Sequence, residues 1–200
     1  MTQSIDFIFD FASPNAYLVH RALPALLKRT GADINYVPCL LGGIFKATGN
    51  QAPMMAFGGV KGKLDYDRLE IVRFIQNHNI SAFKMNPNFP VNTLLLMRGA
   101  IVAQTDDKLE DYIEAGFVAM WERGLKMDEP EVFASAMAEA GFDGEKMLAR
   151  TQDTSVKDRL MQNTNDAVAR GCFGIPTFYI GDEMFFGKER LPQMEALLSQ

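Results

Sequence analysis

Three short segments carry side chains whose types and spacing suit chemistry on an anion. The first is Ser13-Pro14-Asn15-Ala16, which follows an alternating run and begins a helical pattern. A serine followed by proline is a strong helix start, with the serine as N-cap and the proline at the first helical position. Because the first N–H groups of a helix lack partners and carry partial positive charge, they stabilise a thiolate or another anion. Taken alone, Ser13 is only an N-cap.

The second and third segments lie near the end of the chain. In Gly174-Ile175-Pro176-Thr177 a proline stands directly ahead of a strand pattern, and a cis bond there would expose the backbone of Ile175 to an extended peptide. Gly187-Lys188-Glu189-Arg190 begins the last helix, where free N–H groups suit a carboxylate and Glu189 suits an ammonium group. The ordinary alternatives are a trans proline at a strand start and a solvated charged turn.

Hydrophobic periodicity predicts the elements that position these segments. Residues 5–11 alternate as a strand, and the helix that follows Ser13 ends near Gly31, with a kink at Pro24. Residues 34–37 form a second strand. Strand, helix and strand in so short a span predict two parallel strands joined by a right-handed crossover.

The middle of the chain is helical, and strands return near its end. Residues 177–180 and 184–186 predict a hairpin, with its turn at 181–183, and a last helix covers 189–198. The predicted helices of the middle region are 63–78, 92–104, 109–124, 130–140 and 155–170.

The order of these elements is β-α-β, several helices, then β-β-α. That order predicts an α/β, thioredoxin-like fold with an inserted all-helical domain. We expect residues 1–45 and 171–200 to form a discontinuous thioredoxin-like domain, and residues 46–170 to form the helical insertion.

Composition excludes several classes of function. Of 200 residues, 48% are hydrophobic and 22% charged, which is typical of a soluble globular protein. The apolar runs fall short of the roughly 20 residues that span a bilayer, and the first residues lack signal-peptide features, so we expect a cytoplasmic protein without a membrane partner. The net charge of −5 disfavours nucleic acid.

The two cysteines and two histidines do not suggest a metal site. Cys39 and Cys172 have no Cys-x-x-Cys spacing, and we expect both to be small buried hydrophobes, although a disulfide between them stays open. The reactive dithiol of thioredoxin-like proteins is absent, because its place is taken by Ser13-Pro14-Asn15-Ala16. His20 and His78 lie in predicted helices outside the three segments, and we assign them no catalytic role.

With these segments in place, the chain resembles the 2-hydroxychromene-2-carboxylate isomerase family, which is similar to the kappa-class glutathione transferases and to the wider DsbA-like group. The resemblance rests on residues 10–18, 47–50 and 63–66, and above all on residues 173–191, and it covers essentially the whole chain. It implies a glutathione-dependent enzyme that works as a homodimer.

The resemblance also implies roles for individual residues. The Ser13 hydroxyl would hydrogen-bond the glutathione sulfur and stabilise its thiolate. The backbone of Ile175 would pair with the cysteinyl part of glutathione beside Pro176. Lys188 and Glu189 would hold the γ-glutamyl end. Asn50 and Lys63 would lie near the glycyl carboxylate.

The implied reaction is the cis-trans isomerisation of 2-hydroxychromene-2-carboxylate, or of a related conjugated aromatic pyruvate, by reversible thiolate addition. Tyr66 is a candidate hydrogen-bond donor to this substrate, with a packed aromatic as the equal alternative. Lys46, Lys61 or Arg98 would hold the substrate carboxylate, and the sequence does not decide among them.

Three other functions fit parts of the same pattern. A kappa-type transferase would conjugate glutathione permanently to electrophiles and needs the same thiolate. A DsbA-like disulfide oxidoreductase is disfavoured by the missing dithiol. A non-catalytic module would bind glutathione without turnover.

Overall fold

A mixed four-stranded sheet organises the molecule, which is a computed structural model that describes residues 3–199. The strands lie in the order β2-β1-β3-β4. Strand β1 pairs in parallel with β2 and antiparallel with β3, and β3 pairs antiparallel with β4. The strands are β1 (Ser4–Phe9), β2 (Asp33–Pro38), β3 (Thr177–Ile180) and β4 (Glu183–Phe186).

The helices are distributed between the two halves of this sheet. One helix joins β1 to β2, eight helices lie between β2 and β3, and one follows β4 after a short 3-10 turn at Lys188–Arg190. They are α1 (Pro14–Thr30), α2 (Leu41–Thr48), α3 (Pro53–Ala56), α4 (Lys63–His78), α5 (Leu94–Thr105), α6 (Leu109–Trp121), α7 (Pro130–Glu139), α8 (Gly144–Arg150), α9 (Thr154–Ala169) and α10 (Leu191–Leu198).

Helix α1 begins and ends where its sequence signals predict. The Ser13 side chain caps it by accepting from the Ala16 N–H, and Pro14 occupies the first helical position. Gly31 ends it with φ of 69° and donates its N–H to Leu27 O. The helix continues through Pro24.

One hydrophobic core runs beneath the sheet and into the helices. Phe7 stacks on Phe178 across β1 and β3, with ring centroids 4.9 Å apart. Phe11, just beyond β1, meets Phe117 of α6 edge to face at 4.9 Å. Because the same buried cluster includes strand and helix residues, α6 is packed directly against the chain that leads to Ser13.

Several predicted boundaries are wrong by a few residues, and the reason is clearest at β1. This strand ends at Phe9 rather than at residue 11. The Asp10 side chain accepts from the Ala12 N–H at 2.9 Å, and the Ser13 N–H donates to Asp10 O at 3.1 Å. The chain therefore turns before it can continue the strand.

Three helices were not predicted from the sequence. Helix α2 contains two glycines, so propensity does not mark it, and it buries only Ile44. Helix α3 is a single turn. Helix α8 lies in a segment whose glycines indicate a break, but Asp143 caps it by accepting from the Lys146 N–H at 3.0 Å.

Candidate active site

Ser13 lies at the point where the chain leaves β1 and enters α1. It is 4% exposed, and its hydroxyl makes two contacts. Oγ accepts from the Ala16 N–H at 3.2 Å and donates to Ile175 O at 3.2 Å. Ser13 is thus an N-cap. It also contacts Ile175, 162 residues further along the chain, in residues 174–177, which we call the proline segment.

The segment around Ile175 is held from both sides, yet it keeps a free donor. The Ile175–Pro176 peptide bond is cis. Thr177 Oγ1 donates to Gly174 O at 2.7 Å, and Gly187 N donates to Pro176 O at 3.0 Å. Within residues 3–199, the N–H of Ile175 makes no hydrogen bond, although this residue is only 7% exposed. Buried backbone donors are nearly always paired, so this one is available to a ligand.

Lys188 and Glu189 follow directly from the Gly187 contact. Lys188 is 4% exposed, and its Nζ pairs with Glu189 Oε1, whose side chain is half exposed. Nζ also lies 5.8 Å from the ring centroid of Phe74 in α4. Since lysine is rarely buried, this turn is not the ordinary solvated turn that the sequence alone would allow.

The same two charged residues line a cavity of about 480 Å³ between α1, α4 and α10. Arg29, Arg73 and His78 are also on its wall, whereas Ser13 is not. The charged pair therefore lines a space large enough for a small polar group.

Asn50 and Lys63, the two residues predicted to lie near the glycyl carboxylate, differ in what they contact. Asn50 is exposed, and its Nδ2 donates to Phe173 O at 2.7 Å. Lys63 begins α4, pairs with Asp67, and lies 5.3 Å from the ring centroid of Phe57. The structure thus connects Asn50 to the proline segment, while the contacts of Lys63 stay within its own region.

The two residues predicted to contact substrate have few contacts of their own. Tyr66 is 54% exposed on α4, so it is not a packed aromatic. Arg98 lies on α5, and its Nε is buried without a hydrogen-bond partner. Across the described part of the chain, no hydrogen bond joins Tyr66 or Arg98 to Ser13 or to Ile175. Lys46 and Lys61 are exposed.

Two features beside the proline segment carried no sequence signal. Phe173 and Phe186 are 38% and 40% exposed, and their ring centroids are 4.6 Å apart. A Cβ on Gly174 would lie 2.9 Å from Phe186 Cε2, so the glycine allows this close approach. In the first turn of α1, Asn15 Oδ1 is buried without a partner.

Asp10 was also missed, because its partners are far away in sequence. It is fully buried, and it accepts from Ala12 N, from Thr93 Oγ1 at 2.6 Å and from Leu41 N at 2.7 Å. Burial raises the pKa of Asp10, and these three donors oppose that rise. Alternation along β1 predicts only which side of the strand it faces.

A charged network joins α1 to α6 beyond the site. Arg21 pairs with Glu114 at 2.8 Å and with Glu122, and Tyr17 donates to Glu122 at 3.0 Å. His20 Nε2 lies 3.1 Å from Glu114 Oε2. The contact with His20, together with Arg21, lowers the pKa of Glu114 to about 2.

Both cysteines are free and fully buried, as the sequence predicts. Cys39 Sγ donates to Asn163 O at 3.4 Å, and Cys172 Sγ donates to Gly174 O at 3.3 Å. Burial raises the pKa of each thiol, so neither is a ready thiolate.

Two features are absent from residues 3–199. No helix among them is long and apolar enough to cross a membrane. No group of three or more His, Cys, Asp or Glu side chains in that range is placed to hold a metal ion.

Comparison with known proteins gives this arrangement a family. The β-α-β and β-β-α halves, with a helix start facing a cis proline, define a thioredoxin-like protein. The DSBA-like thioredoxin domain matches residues 4–199, and a curated 2-hydroxychromene-2-carboxylate isomerase from Pseudomonas sp. (strain C18) is 32% identical over 96% of this chain and 88% of its own. The chain therefore belongs to the DSBA-like family and, within it, to the group of 2-hydroxychromene-2-carboxylate isomerases and kappa glutathione transferases.

Two further relatives support the same assignment. A solved 2-hydroxychromene-2-carboxylate isomerase superposes with a TM-score of 0.84 at 28% identity, covering 98% of this chain and 94% of that one. Glutathione S-transferase kappa 1 of Caenorhabditis elegans is 28% identical over 98% of this chain and 91% of its own. Both kinds of relative are enzymes, and this chain is an enzyme with an isomerase-like or transferase-like function. The predicted α/β, thioredoxin-like fold is confirmed.

Proposed function

We propose that this enzyme is a glutathione-dependent cis-trans isomerase that acts on 2-hydroxychromene-2-carboxylate or a related conjugated aromatic pyruvate. The observation that carries the proposal is the contact between the Ser13 hydroxyl and Ile175 O, beside an unpaired Ile175 N–H. A helix N-terminus and a backbone N–H without a partner in residues 3–199 meet there, and a serine stands at the helix start. Such a site suits a ligand that brings its own thiol on a peptide backbone.

The residues present fit glutathione. The Ile175 N–H has no partner within the described residues, and its carbonyl holds only the Ser13 hydroxyl, so both are open to pairing with an extended peptide. Pro176 O is already taken by Gly187 N, which confines the pairing to Ile175. The opposite charges of Lys188 and Glu189 match the amino and carboxylate groups of a γ-glutamyl end.

When bound, glutathione supplies a thiolate that adds reversibly to a conjugated double bond, which allows rotation about that bond. The Ser13 hydroxyl has one proton, and in the free protein it donates this proton to Ile175 O. When the Ile175 carbonyl accepts from a ligand N–H instead, the Ser13 hydroxyl can turn and donate toward a sulfur anion. The N-terminus of α1, which has no acidic residue in its first turn, favours the same anion.

Other residues are proposed to hold the two remaining parts of the complex. Asn50, fixed to Phe173 O, and Lys63 would contact the glycyl carboxylate. Tyr66 is exposed and able to donate to the substrate, and Arg98 has a buried Nε without a partner that suits a carboxylate. The cytoplasmic location, the homodimer and a role in aromatic catabolism stay predictions.

The proposal is tested by following thiolate absorbance of bound glutathione against pH. Wild type is expected to bind glutathione and to lower its thiol pKa, while Ser13→Ala binds but loses most of that lowering. Ser13→Gly is the matched control, because glycine also lacks the hydroxyl but weakens a helix cap by only a few tenths of a kcal/mol. Both variants should therefore raise the thiol pKa alike, although alanine alone destabilises the helix. A wild-type protein that binds no glutathione would refute the proposal.

A kappa-type transferase is the second candidate, because curated kappa transferases are also similar over nearly the whole chain. Both activities need the same thiolate, so product analysis separates them. Glutathione recovered unchanged after turnover indicates the isomerase, and a stable adduct indicates the transferase. The buried thiols of Cys39 and Cys172 do not favour a disulfide oxidoreductase. Turnover of either kind would exclude a non-catalytic module.

A further inference from the structure

We propose that Asp10 is a positioning residue that fixes residues 10–13, the Ser13 turn, against the first residue of α2 and the N-cap residue of α5. This inference rests on the proposed function, because it concerns how Ser13 is held for its role toward the thiolate. Asp10 is fully buried and lies three residues before Ser13, between the end of β1 and the start of α1. The proposed isomerase chemistry assigns no role to Asp10.

Both carboxylate oxygens of Asp10 are engaged by donors from different parts of the chain. Oδ1 accepts from Ala12 N at 2.9 Å and from Thr93 Oγ1 at 2.6 Å. Oδ2 accepts from Leu41 N at 2.7 Å. Ala12 belongs to the Ser13 turn, Leu41 is the first residue of α2, and Thr93 is the N-cap residue of α5. One side chain therefore joins three segments.

The backbone of Asp10 adds a fourth contact, since its carbonyl accepts from the Ser13 N–H at 3.1 Å. The position of Ser13 is thus set by the same residue whose side chain is fixed by α2 and α5. Helix α2 leads through Gly49 to Asn50. The hydrogen bonds of Asp10 to Leu41 and to Ser13 therefore also link Ser13 to the residue predicted to contact the glycyl carboxylate. A shift of α2 or α5 would be passed to Ser13 through this carboxylate.

The donors require a carboxylate and not merely a residue of that shape. Ala12 N and Leu41 N can only donate, and they approach different oxygens. An asparagine has one carbonyl oxygen and one NH2 group, so whichever way it is turned, one backbone N–H faces a donor. Asp10→Asn is isosteric, and yet it must release either the Ser13 turn or α2.

Asp10→Asn is therefore expected to raise the thiol pKa of bound glutathione by about one unit, which lowers the thiolate fraction tenfold below that pKa. In the free protein, the Ser13 amide signal in the NMR spectrum should shift, although no ligand is present. A folded Asp10→Asn protein with wild-type values for both readouts would overturn the proposal.

A second pair of variants leaves Asp10 unchanged. Leu41→Pro removes the donor to Oδ2 at the first position of α2, where proline is tolerated and where Leu40 already has extended φ and ψ. Leu41→Ala is its control, because it loses the same side chain but keeps the N–H. We expect only the proline variant to shift the Ser13 amide signal and to raise the thiol pKa of bound glutathione. Equal values for the two variants would overturn the role of the hydrogen bond from Leu41 N to Asp10.

These measurements separate the two proposals. If the wild-type protein binds no glutathione, the proposed function fails, and the Ser13 amide shift in the free variants still decides whether Asp10 positions this turn. If glutathione binds with a lowered thiol pKa that neither Asp10→Asn nor Leu41→Pro changes, the proposed function stands and the positioning role fails.

Discussion

At the residue scale, the site replaces a protein thiol with a hydroxyl and a free backbone donor. A cysteine at position 13 would be a nucleophile itself, whereas in the proposed function the Ser13 hydroxyl donates a hydrogen bond to a sulfur that a ligand provides. The two cysteines of the chain are buried, Cys172 against Gly174 O, and burial raises the pKa of both. In the proposed function, the protein therefore supplies the hydrogen-bond donors, and the ligand supplies the thiol.

Lys188 gives a prediction at this scale, because it is buried while its partner Glu189 is half exposed. Lys188→Met should weaken glutathione binding about tenfold, since one charge-assisted hydrogen bond is lost. Titration calorimetry measures the change. Lys61→Met, at an exposed lysine, should leave the affinity unaltered. Equal affinities for the Lys188 variant and wild type would remove Lys188 from the γ-glutamyl site.

At the element scale, α6 supports the turn that carries Ser13. Phe11 packs against Phe117, and Trp121 Nε1 donates to Phe11 O at 2.8 Å. Gly116 allows the close approach, because a Cβ there would lie 2.5 Å from Phe11 Cε1. Gly116 has poor helix propensity, but its lack of a side chain allows the Phe11 ring to pack against α6.

Gly116→Ala should therefore destabilise the protein, despite the better helix propensity of alanine. The propensity gain is about 1 kcal/mol, whereas overpacking a filled core costs about 1 to 3 kcal/mol. We expect a net loss of about 1 kcal/mol in urea unfolding. Gly42→Ala is the control, because a Cβ at this position in α2 meets no atom within 4 Å, and it should not destabilise. A stabilised Gly116 variant would show that Phe11 moves freely.

At the scale of the whole molecule, the sheet and the inserted helices share one core and a charged network. The buried cluster includes β1, β3 and most of the helices, and Arg21 joins α1 to two glutamates of the α6 region. The division into residues 1–45 with 171–200 and residues 46–170 stays a prediction about sequence organisation. Physically, neither part buries its apolar surface without the other.

This shared core predicts a single unfolding transition. Far-ultraviolet circular dichroism, which follows the helices, and Trp121 fluorescence, which follows the packing beside Phe11, should give the same midpoint in urea. Two separated midpoints would show that the helical part is an independent domain.

The network also predicts how stability depends on pH. The pKa of Glu114 is lowered to about 2 in the folded protein, so its contribution is full above the ordinary glutamate pKa and is lost as pH falls toward 2. Glu114→Gln should be less stable than wild type at neutral pH, and this difference should shrink between about pH 4.5 and pH 2. The effect is modest because the Glu114 side chain is half exposed. Asp111→Asn, at an exposed position of α6, should show no such convergence in thermal unfolding.

The sequence by itself determined those features that depend on neighbours within a few residues. The cap at Ser13 follows from its side chain, the stop at Gly31 and the hairpin after Ile180 follow from residues that favour a turn, and the order of the strands follows from periodicity. The family resemblance predicted roles for Ile175 and Lys188, and these roles stay predictions.

Only the tertiary structure decided which contacts complete the site. The partners of Asp10 lie 31 and 83 residues away, and the Ser13 hydroxyl meets a carbonyl 162 residues away. Helix α2 was missed because its two glycines lower helix propensity, and α3 because it is a single turn. Helix α8 was missed because the glycines of its segment indicate a break. A local pattern carries no signal for a partner that folding alone brings near, and that is why the contacts of Asp10 and the packing of Phe173 on Phe186 became visible only in three dimensions.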